Sequence, residues 1–354
     1  MKKNNPQEAE IRHKCFSTLF PKAPDYQWKQ IQEGLFSATN NSWQDLTSLA
    51  KTVRTKLEET IPWTSYTTTK LLSNNAKDTF KALLQLRDGL QIETVLMANS
   101  RNQWTICVSS QVGCAMGCRF CATGTMGLLR NLSEDEIIDQ YRFWLYFLAN
   151  KPTLPQRISN IVMMGMGEPL ANYETVKKAL HIWLENTDIG PTHITVSTVG
   201  VLPFLDQLLN DSEWPNVRLA ISLHSANTVI RKNIIPTSHP DFLNRLASWT
   251  NKYLQKNQSR RQHLTFEYTL LKGVNDSQEN AVELAKWARK LGKIKINLIP
   301  WNYVNAAGFE GTDRENADRF LKTIKDHDIP VTMRKTMGDD IAAACGQLAT
   351  TAKE

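Results

Sequence analysis

The sequence predicts an α/β protein with a parallel β-sheet, preceded by a small all-helical region. From about Gln91 onward, short apolar and β-branched runs alternate with helical patterns, which is typical of a parallel sheet, open or closed into a barrel. Residues 1 to about 85 carry helical patterns instead. At 354 residues, the chain is long enough for one large domain and one small one. We therefore divide it into residues 1–85 and residues 86–354.

Three helices are predicted in the N-terminal region. The first covers residues 8–19. The second carries three large apolar residues at spacings of three and four, which lie on one helix face: Trp28, Ile31 and Leu35. The third has Ser42 as its N-cap and continues to about residue 59.

The second region is predicted to alternate between strands and helices. Strands are predicted at residues 92–97, 104–108, 158–164, 193–199, 217–223, 264–271, 294–298 and 329–333. Helices are predicted to start at capping residues: Ser133, with Glu136 completing a capping box, Asn172, Asp276 and Thr312. Because parallel barrels build their sites at the carboxyl ends of their strands, we expect the functional residues there.

The composition is that of an ordinary globular protein, with 41% hydrophobic and 22% charged residues. No run approaches the roughly 18 apolar residues of a membrane span. The N-terminus lacks the apolar stretch of a signal peptide, so we expect a cytoplasmic protein with reduced thiols. The net charge of +7 is compatible with an RNA partner but is weak evidence for one.

Three of the six cysteines are arranged as C-x3-C-x2-C: Cys114, Cys118 and Cys121. Thiolates select zinc or iron–sulfur clusters. No further Cys or His follows within the next fifty residues, whereas a structural zinc site closes with four ligands. Three thiolates on a four-iron cluster leave one iron open to a ligand. A zinc site with a distant fourth ligand remains the alternative.

The spacing, with Phe120 before the last cysteine, resembles the signature of radical S-adenosylmethionine (SAM) enzymes. The longer run SSQVGCAMGCRFCATGTMG is similar to that of a narrower family, the radical SAM methyltransferases that modify adenine in 23S rRNA and tRNA. This resemblance extends over nearly the whole chain.

The resemblance implies a [4Fe–4S] cluster on the three cysteines and two SAM molecules per turnover. It also implies a partial (β/α) radical-SAM barrel, with an N-terminal helical accessory domain that helps to bind RNA. The implied partners are 23S rRNA, tRNA and an external electron donor such as a flavodoxin. A monomer without membrane association is expected.

Several polar residues at predicted strand ends match SAM contacts of this family. Gly167 and Glu168 belong to a Gly-Glu-Pro motif, which would otherwise read as a tight turn with a surface glutamate. The remaining matches are implied as ribose and carboxylate contacts: Ser197, Ser222, Leu223, His224 and Asn297. A single histidine after a strand is more commonly a capped or core residue.

Two further cysteines and one glutamate match catalytic residues of the family: Cys107, Cys345 and Glu93. Without the resemblance, the cysteines would be read as small buried hydrophobes and Glu93 as a surface carboxylate. With it, Cys345 takes a methyl group from one SAM, and a radical derived from a second SAM activates that methyl group. The resulting carbon radical adds to the adenine. Glu93 then removes the ring proton, and Cys107 attacks the Cys345 sulfur to release the RNA, which implies a disulfide.

The C-terminal run MGDDIAAACGQLA carries Cys345 and departs from the family at Ala342, where aspartate is usual. Basic groups that can bind phosphate or simply face solvent are Lys51, Arg54, Lys56, Arg260, Arg261, the lysines and arginine of residues 286–295, Arg334 and Lys335. Cys15 matches no motif and is expected to be structural.

Three alternatives remain open. One is the antibiotic-resistance branch that methylates adenine at C8; Pro169 favours the C2 branch. The second is a radical SAM enzyme with a non-RNA substrate, against which the pair of Cys107 and Cys345 argues. The third is a non-enzymatic RNA-binding protein with a structural zinc.

Overall fold

The computed structural model describes residues 12–99, 101, 103–257, 264–304 and 308–349. Its helices are α1 (Arg12–Leu19), α2 (Asp25–Leu35), α3 (Lys51–Thr60), α4 (Ala122–Met126), α5 (Glu134–Ala149), α6 (Tyr173–Asn186), α7 (Leu202–Asn210), α8 (Thr228–Ile234), α9 (Phe242–Lys256), α10 (Gln278–Ala288) and α11 (Arg314–Asp326). Its strands are β1 (Tyr66–Ser73), β2 (Thr79–Leu86), β3 (Gln91–Ala98), β4 (Trp104–Cys107), β5 (Gln111–Gly113), β6 (Leu128–Asn131), β7 (Ile158–Met163), β8 (Ile194–Thr198), β9 (Arg218–Ser222), β10 (Leu264–Leu270), β11 (Ile294–Pro300) and β12 (Val331–Met333).

Helices α1 to α3 enclose a small core of their own, which includes Phe16, Ile31 and Leu57. The expectation of one helix starting at Ser42 is wrong, because Ser42 opens only the 3-10 turn Trp43–Asp45. The Asp45 carboxylate accepts the Ser42 backbone N–H at 2.8 Å and closes this turn. The chain then turns again, burying Leu46 and Leu49, and α3 starts separately.

A buried ion-pair network attaches the helical part to α5. Arg12 of α1 pairs with Asp135 at 2.9 Å and also with Asp139. Arg142 pairs with Asp139 and donates to the carbonyl of Leu35 at 2.8 Å. Both arginines are 2% exposed or less, and the carboxylates of Asp135 and Asp139 compensate their charges within the protein. This network fixes the N-terminal helices against α5.

The large sheet has ten strands in the order β1-β2-β3-β4-β7-β8-β9-β10-β11-β12. Strands β1 to β4 pair antiparallel, and from β4 to β12 every pairing is parallel. The parallel α/β core and the helical N-terminal part confirm the predicted fold class, a partial (β/α) barrel with a small helical domain. Helix signals up to residue 85 were misleading, since residues 66–86 form β1 and β2. The division at residue 85 stays a prediction.

Most predicted strands and helix starts lie within two residues of the observed ones. The capping box of Ser133 and Glu136 opens α5 as predicted. The N-caps of α10 and α11 lie one residue later than predicted, at Ser277 and Asp313. Each of these residues accepts a hydrogen bond from a backbone N–H three residues on, in the first turn of its helix.

Within the described ranges, no helix combines the length and apolarity that crossing a membrane requires. Arg260 and Arg261, two of the predicted basic residues, lie outside the described residues.

Candidate active site

The three cysteines of the motif lie in a tight loop between β5 and the first turn of α4. The backbone N–H of Cys114 donates to the carbonyl of Gly127 at 2.9 Å, and Cys121 is the N-cap of α4. Gly113 has φ of +77°, and a Cβ there would lie 1.9 Å from the Gly127 oxygen. A side chain at Gly124 would lie 2.5 Å from the Cys118 carbonyl. Glycine is therefore required at both positions for the loop to close.

The loop faces a cavity at the carboxyl ends of the parallel strands. The cavity holds about 960 Å³ of empty space, part of it open to solvent. The predicted site residues that line it are Cys114, Cys118, Cys121, Gly167, Glu168, Ser197, Ser222, His224 and Cys345. The structure thus brings together residues that are more than 230 positions apart in the chain.

Glu168 connects two strand-end loops while lining the cavity. One carboxylate oxygen accepts the N–H of Leu170 at 3.0 Å, and the other accepts the N–H of Val199 at 2.7 Å. Burial raises the pKa of Glu168 above its ordinary value, although both hydrogen bonds favour the charged form. The preceding Gly167 has φ of +102°, and a Cβ there would collide with Gln111 at 2.6 Å.

His224 is held as a neutral imidazole. Burial, followed by the charge of Arg231, lowers the pKa of His224 to about 3. Its Nδ1 accepts the N–H of Thr269 at 3.0 Å, and its ring meets the Phe120 ring edge-on at 4.7 Å. The backbone at His224 has φ of +55°, which turns the chain sharply after β9. This histidine therefore belongs both to the core and to the cavity wall.

Leu223 and Asn297 are not among the described residues that line the cavity. The Leu223 side chain is fully buried in the core. Asn297 donates to Glu267 at 3.0 Å and accepts from Thr332 at 2.7 Å. Their assignment as SAM contacts stays a prediction.

Glu267 is a cavity residue that the sequence analysis missed. It is 4% exposed and projects from β10, in register with Ser222 of β9 and Asn297 of β11. Its Oε2 atom is buried and has no hydrogen-bond partner among the described residues. The nearest cation is Arg334, whose Nη1 lies 3.7 Å away. The sequence feature that could have identified Glu267 is its position as a charged residue inside the apolar run LTFEYTL.

Arg334 also has a different position from the one that the sequence suggested. It was predicted to grip phosphate or to face solvent, but it lines the main cavity and a second cavity beside it. Cys345 lines both cavities as well. The Cys345 thiol and the Arg334 guanidinium therefore lie at the boundary between the two spaces.

The segment that carries Cys345 is docked into the site through its backbone. The carbonyl of Gly346 accepts the N–H of Ala122 at 2.7 Å, and the carbonyl of Cys345 accepts from Asn302 at 3.0 Å. These contacts leave the Cys345 side chain exposed.

Cys107 ends β4 and is buried, in contrast to Cys345. Burial, followed by the charge of nearby Cys345, raises the pKa of Cys107 to about 12. All six cysteines lie among the described residues, and each of them is free, without a disulfide. The disulfide expected between Cys107 and Cys345 is therefore not supported by this structure, in which both thiols are reduced.

Glu93 lies on β3 outside the main cavity. Its carboxylate pairs with Lys81 at 2.9 Å and accepts the N–H of Ala349 at 2.9 Å. Burial raises the pKa of Glu93, with Lys81 opposing the rise. The alternative of an exposed strand carboxylate does not hold, since Glu93 is 5% exposed.

The donor set fits an iron–sulfur cluster better than a single metal ion. Among the described residues, no three His, Cys, Asp or Glu side chains converge closely enough to share one ion, as a closed zinc site requires. In a four-iron cluster each thiolate binds a different iron. In the same cavity, the Glu267 oxygen that lacks a hydrogen-bond partner among the described residues also fits a ligand that donates hydrogen bonds.

Comparison with known proteins agrees with this geometry. The profile of the Radical SAM superfamily matches residues 108–312. A probable dual-specificity RNA methyltransferase RlmN from Dictyoglomus turgidum is 40% identical over 328 residues, which cover 92% of this chain and 90% of that protein. A protein of the same name from Chlorobium phaeobacteroides is 39% identical over 333 residues, with the same coverage.

One solved structure matches nearly the whole chain. It is a radical SAM methyltransferase from Sphaerobacter thermophilus, with a TM-score of 0.87 and 37% sequence identity. The match covers 96% of this chain and 98% of that one.

Proposed function

The chain belongs to the radical SAM superfamily and, within it, to the RlmN family of dual-specificity RNA methyltransferases. From this premise, we propose that it methylates C2 of an adenosine in 23S rRNA and in tRNA. Members of this superfamily use a [4Fe–4S] cluster and SAM. The observation that carries the proposal is the position of Cys345, whose thiol lies in the wall of the cavity that Cys114, Cys118 and Cys121 also line.

A second nucleophile is needed because C2 of adenine is electron-poor. It cannot displace the methyl group of SAM directly, whereas a thiolate can. Cys345 is exposed to the cavity and suits this role, since SAM bound beside the three cysteines would lie in the same space. Its sulfur takes the methyl group, the thiol proton is lost, and S-adenosylhomocysteine leaves. The product is S-methylcysteine at position 345.

Cys114, Cys118 and Cys121 would hold the cluster, and the cluster would supply the electron that cleaves a second SAM into methionine and a 5′-deoxyadenosyl radical. The chain provides the S-methyl group of Cys345, from which this radical takes a hydrogen atom. The remaining methylene radical adds to C2 of the adenine and links the RNA to Cys345.

Glu93 and Cys107 complete the reaction in this proposal. Glu93 removes the proton from C2, a role that suits a buried carboxylate with a raised pKa. Cys107 then forms a bond to the Cys345 sulfur as the bond from sulfur to carbon breaks, and the Cys107 proton completes the new methyl group. The methylated base then gives up its one extra electron, which returns to the group that supplied it. A thiol reductant reopens the disulfide before the next turnover.

The positions of Glu93 and Cys107 on neighbouring strands support linked roles. Strands β3 and β4 are paired, with Val95 opposite Cys107. Thr94, next to Glu93, donates its hydroxyl to the Cys107 carbonyl at 2.8 Å.

We propose that the enzyme is a cytoplasmic monomer, because its RNA substrates are located there, and that a flavodoxin-like protein supplies the electron.

The proposal is tested by anaerobic incubation of the cluster-loaded protein with SAM, a one-electron reductant and unmodified 23S rRNA or tRNA. The RNA is then digested to nucleosides and compared by chromatography and mass with 2-methyladenosine and 8-methyladenosine. We expect 2-methyladenosine from both RNAs. The 8-methyl product would assign the chain to the C8 chemistry, and unmodified adenosine would contradict the proposal. Cys15→Ser is a suitable control, since Cys15 packs in the N-terminal core.

A further inference from the structure

Arg231 of α8 is a buried cation whose hydrogen-bond partners are all neutral. It is 1% exposed. Its guanidinium donates to the carbonyls of Val199 at 2.8 Å, Leu223 at 3.0 Å and Ser222 at 3.2 Å, and to the hydroxyl of Ser238. It therefore joins the loops that follow β8 and β9, and both loops line the main cavity.

No carboxylate compensates this charge in the part of the chain that the structure describes. The other fully buried arginines behave differently, since Arg12 and Arg142 both pair with Asp139. Arg231 instead lies over the face of the Phe242 ring, 3.5 Å from its centroid. A ring face stabilises a cation by less than a buried, unpaired charge costs. The site therefore lacks a negative charge.

The element that carries Arg231 packs against the cysteine loop. The carbonyl of Ile234 accepts the N–H of Arg119 at 3.0 Å. Ile234 and its neighbour Ile235 form one hydrophobic cluster with Cys118 and Cys121. Burial lowers the pKa of Arg231 to about 9, and the charge that opposes this change is a thiolate at Cys118. We therefore expect the compensating negative charge on the loop that carries Cys118 and Cys121.

We propose that Arg231 is the counter-charge of the iron–sulfur cluster, a positioning residue that acts through Cys118 and makes the cluster easier to reduce. A cluster bound by three thiolates is an anion and gains one more negative charge on reduction. A buried cation beside it therefore stabilises the reduced form more than the oxidised form. The electron comes from an external low-potential, one-electron donor. The inference rests on the proposed placement of the cluster on Cys114, Cys118 and Cys121.

The test is an anaerobic redox titration of the cluster-loaded protein, followed by electron paramagnetic resonance. Arg231→Met removes the charge, and Arg231→Lys keeps it. The matched control is Arg245→Met. Arg245 and Arg231 line one further cavity, distinct from the main one, but Arg245 is half exposed and faces Asp206 at 3.8 Å. Iron and sulfide are measured on every sample.

We expect the midpoint potential of Arg231→Met to be more negative than that of wild type. Arg231→Lys should lie between the two, and Arg245→Met should match wild type. Arg231→Met at the wild-type potential with a full cluster would overturn the proposal, because a role limited to holding the loops would not order the potentials by charge. Wild-type protein without about four irons per chain would contradict the cluster site itself rather than the role of Arg231.

If Arg231→Met is too unstable to load, Arg231→Gln takes its place, because it also lacks the charge but can still donate to a carbonyl. The gain in melting temperature on cluster reconstitution is then measured beside the potential. A smaller gain in Arg231→Gln than in wild type supports the counter-charge. An equal gain contradicts it.

Discussion

The carboxylate of Glu93 and the ammonium group of Lys81 lie 2.9 Å apart, with only 7% and 10% of their side chains exposed. The pair also holds the segment that carries Cys345. Lys81 donates to the carbonyl of Ala342 at 3.0 Å, and Glu93 accepts the N–H of Ala349 at 2.9 Å. The proposed base and the proposed methyl carrier are therefore connected through one buried ion pair. A movement of Cys345 away from the site would release one partner of Glu93.

Replacing Lys81 by methionine should loosen this segment and shift the pH dependence of RNA methylation upward. Without Lys81, the pKa of Glu93 rises further, so the carboxylate becomes available as a base only at higher pH. Hydrogen exchange of residues 342–349 should become faster, and the unfolding free energy should fall by about 3 kcal/mol. Lys70→Met on exposed β1 is the control. An unchanged pH profile in Lys81→Met would contradict the link.

Substitution of the two proposed catalytic thiols should stop the reaction at different stages. Cys345→Ala removes the methyl acceptor, so mass spectrometry should find no methylated peptide in the protein and no methylated adenosine in the RNA. Cys107→Ala should accept the methyl group and add to the RNA but should not release it, and a covalent complex should accumulate on denaturing gels. Normal turnover in either variant would rule out the relay.

The stability of the fold should depend on pH through His224. The folded pKa of His224, about 3, lies below the ordinary value of about 6.5. Between about pH 3 and pH 6.5, the unfolded chain therefore binds a proton that the folded chain does not. The unfolding free energy should therefore fall as the pH drops below about 6.5, by up to about 1.4 kcal/mol per pH unit.

His224→Asn should lack this dependence, and asparagine tolerates the φ of +55° at this position. The two proteins are compared by urea unfolding at several pH values under the same cluster loading. Parallel curves for wild type and variant would mean that His224 titrates over the same pH range in the folded and the unfolded chain, and would contradict the lowered pKa.

Arg12→Met should destabilise the protein strongly, because it leaves Asp135 buried without its cation. The expected loss in unfolding free energy is about 3–5 kcal/mol. Lys56→Met is the control, since Lys56 and Glu59 form an exposed pair 3.9 Å apart that contributes at most about 1 kcal/mol. A loss for Arg12→Met as small as that of the control would show that the network does not hold the helical part in place.

Local signals predicted local features well. The Ser133 box marked the start of α5 because both of its hydrogen bonds form within one turn. The three cysteines could be recognised because their spacing lies within eight residues. Ser42 misled for the same reason: its box with Asp45 is present, but it closes a 3-10 turn and not a long helix.

Features that depend on strand register could not be predicted from the sequence. Glu267 became a cavity residue because β10 lies between β9 and β11, which sets it beside Ser222 and Asn297. Arg334 meets Glu267 only after β12 has joined the sheet. Strands β1 and β2 were missed because the antiparallel partner that stabilises each of them cannot be read from local periodicity.

The most direct test of the central claim, that carbon travels through Cys345, uses SAM with a trideuterated methyl group. In the relay, the radical removes one deuterium from the S-methyl group, and the last hydrogen of the new methyl group comes from an exchangeable proton. We therefore predict that methylated adenosine from the RNA carries two deuterium atoms and that 5′-deoxyadenosine carries one. A methylated adenosine that retains all three would show direct transfer from SAM and would contradict the account.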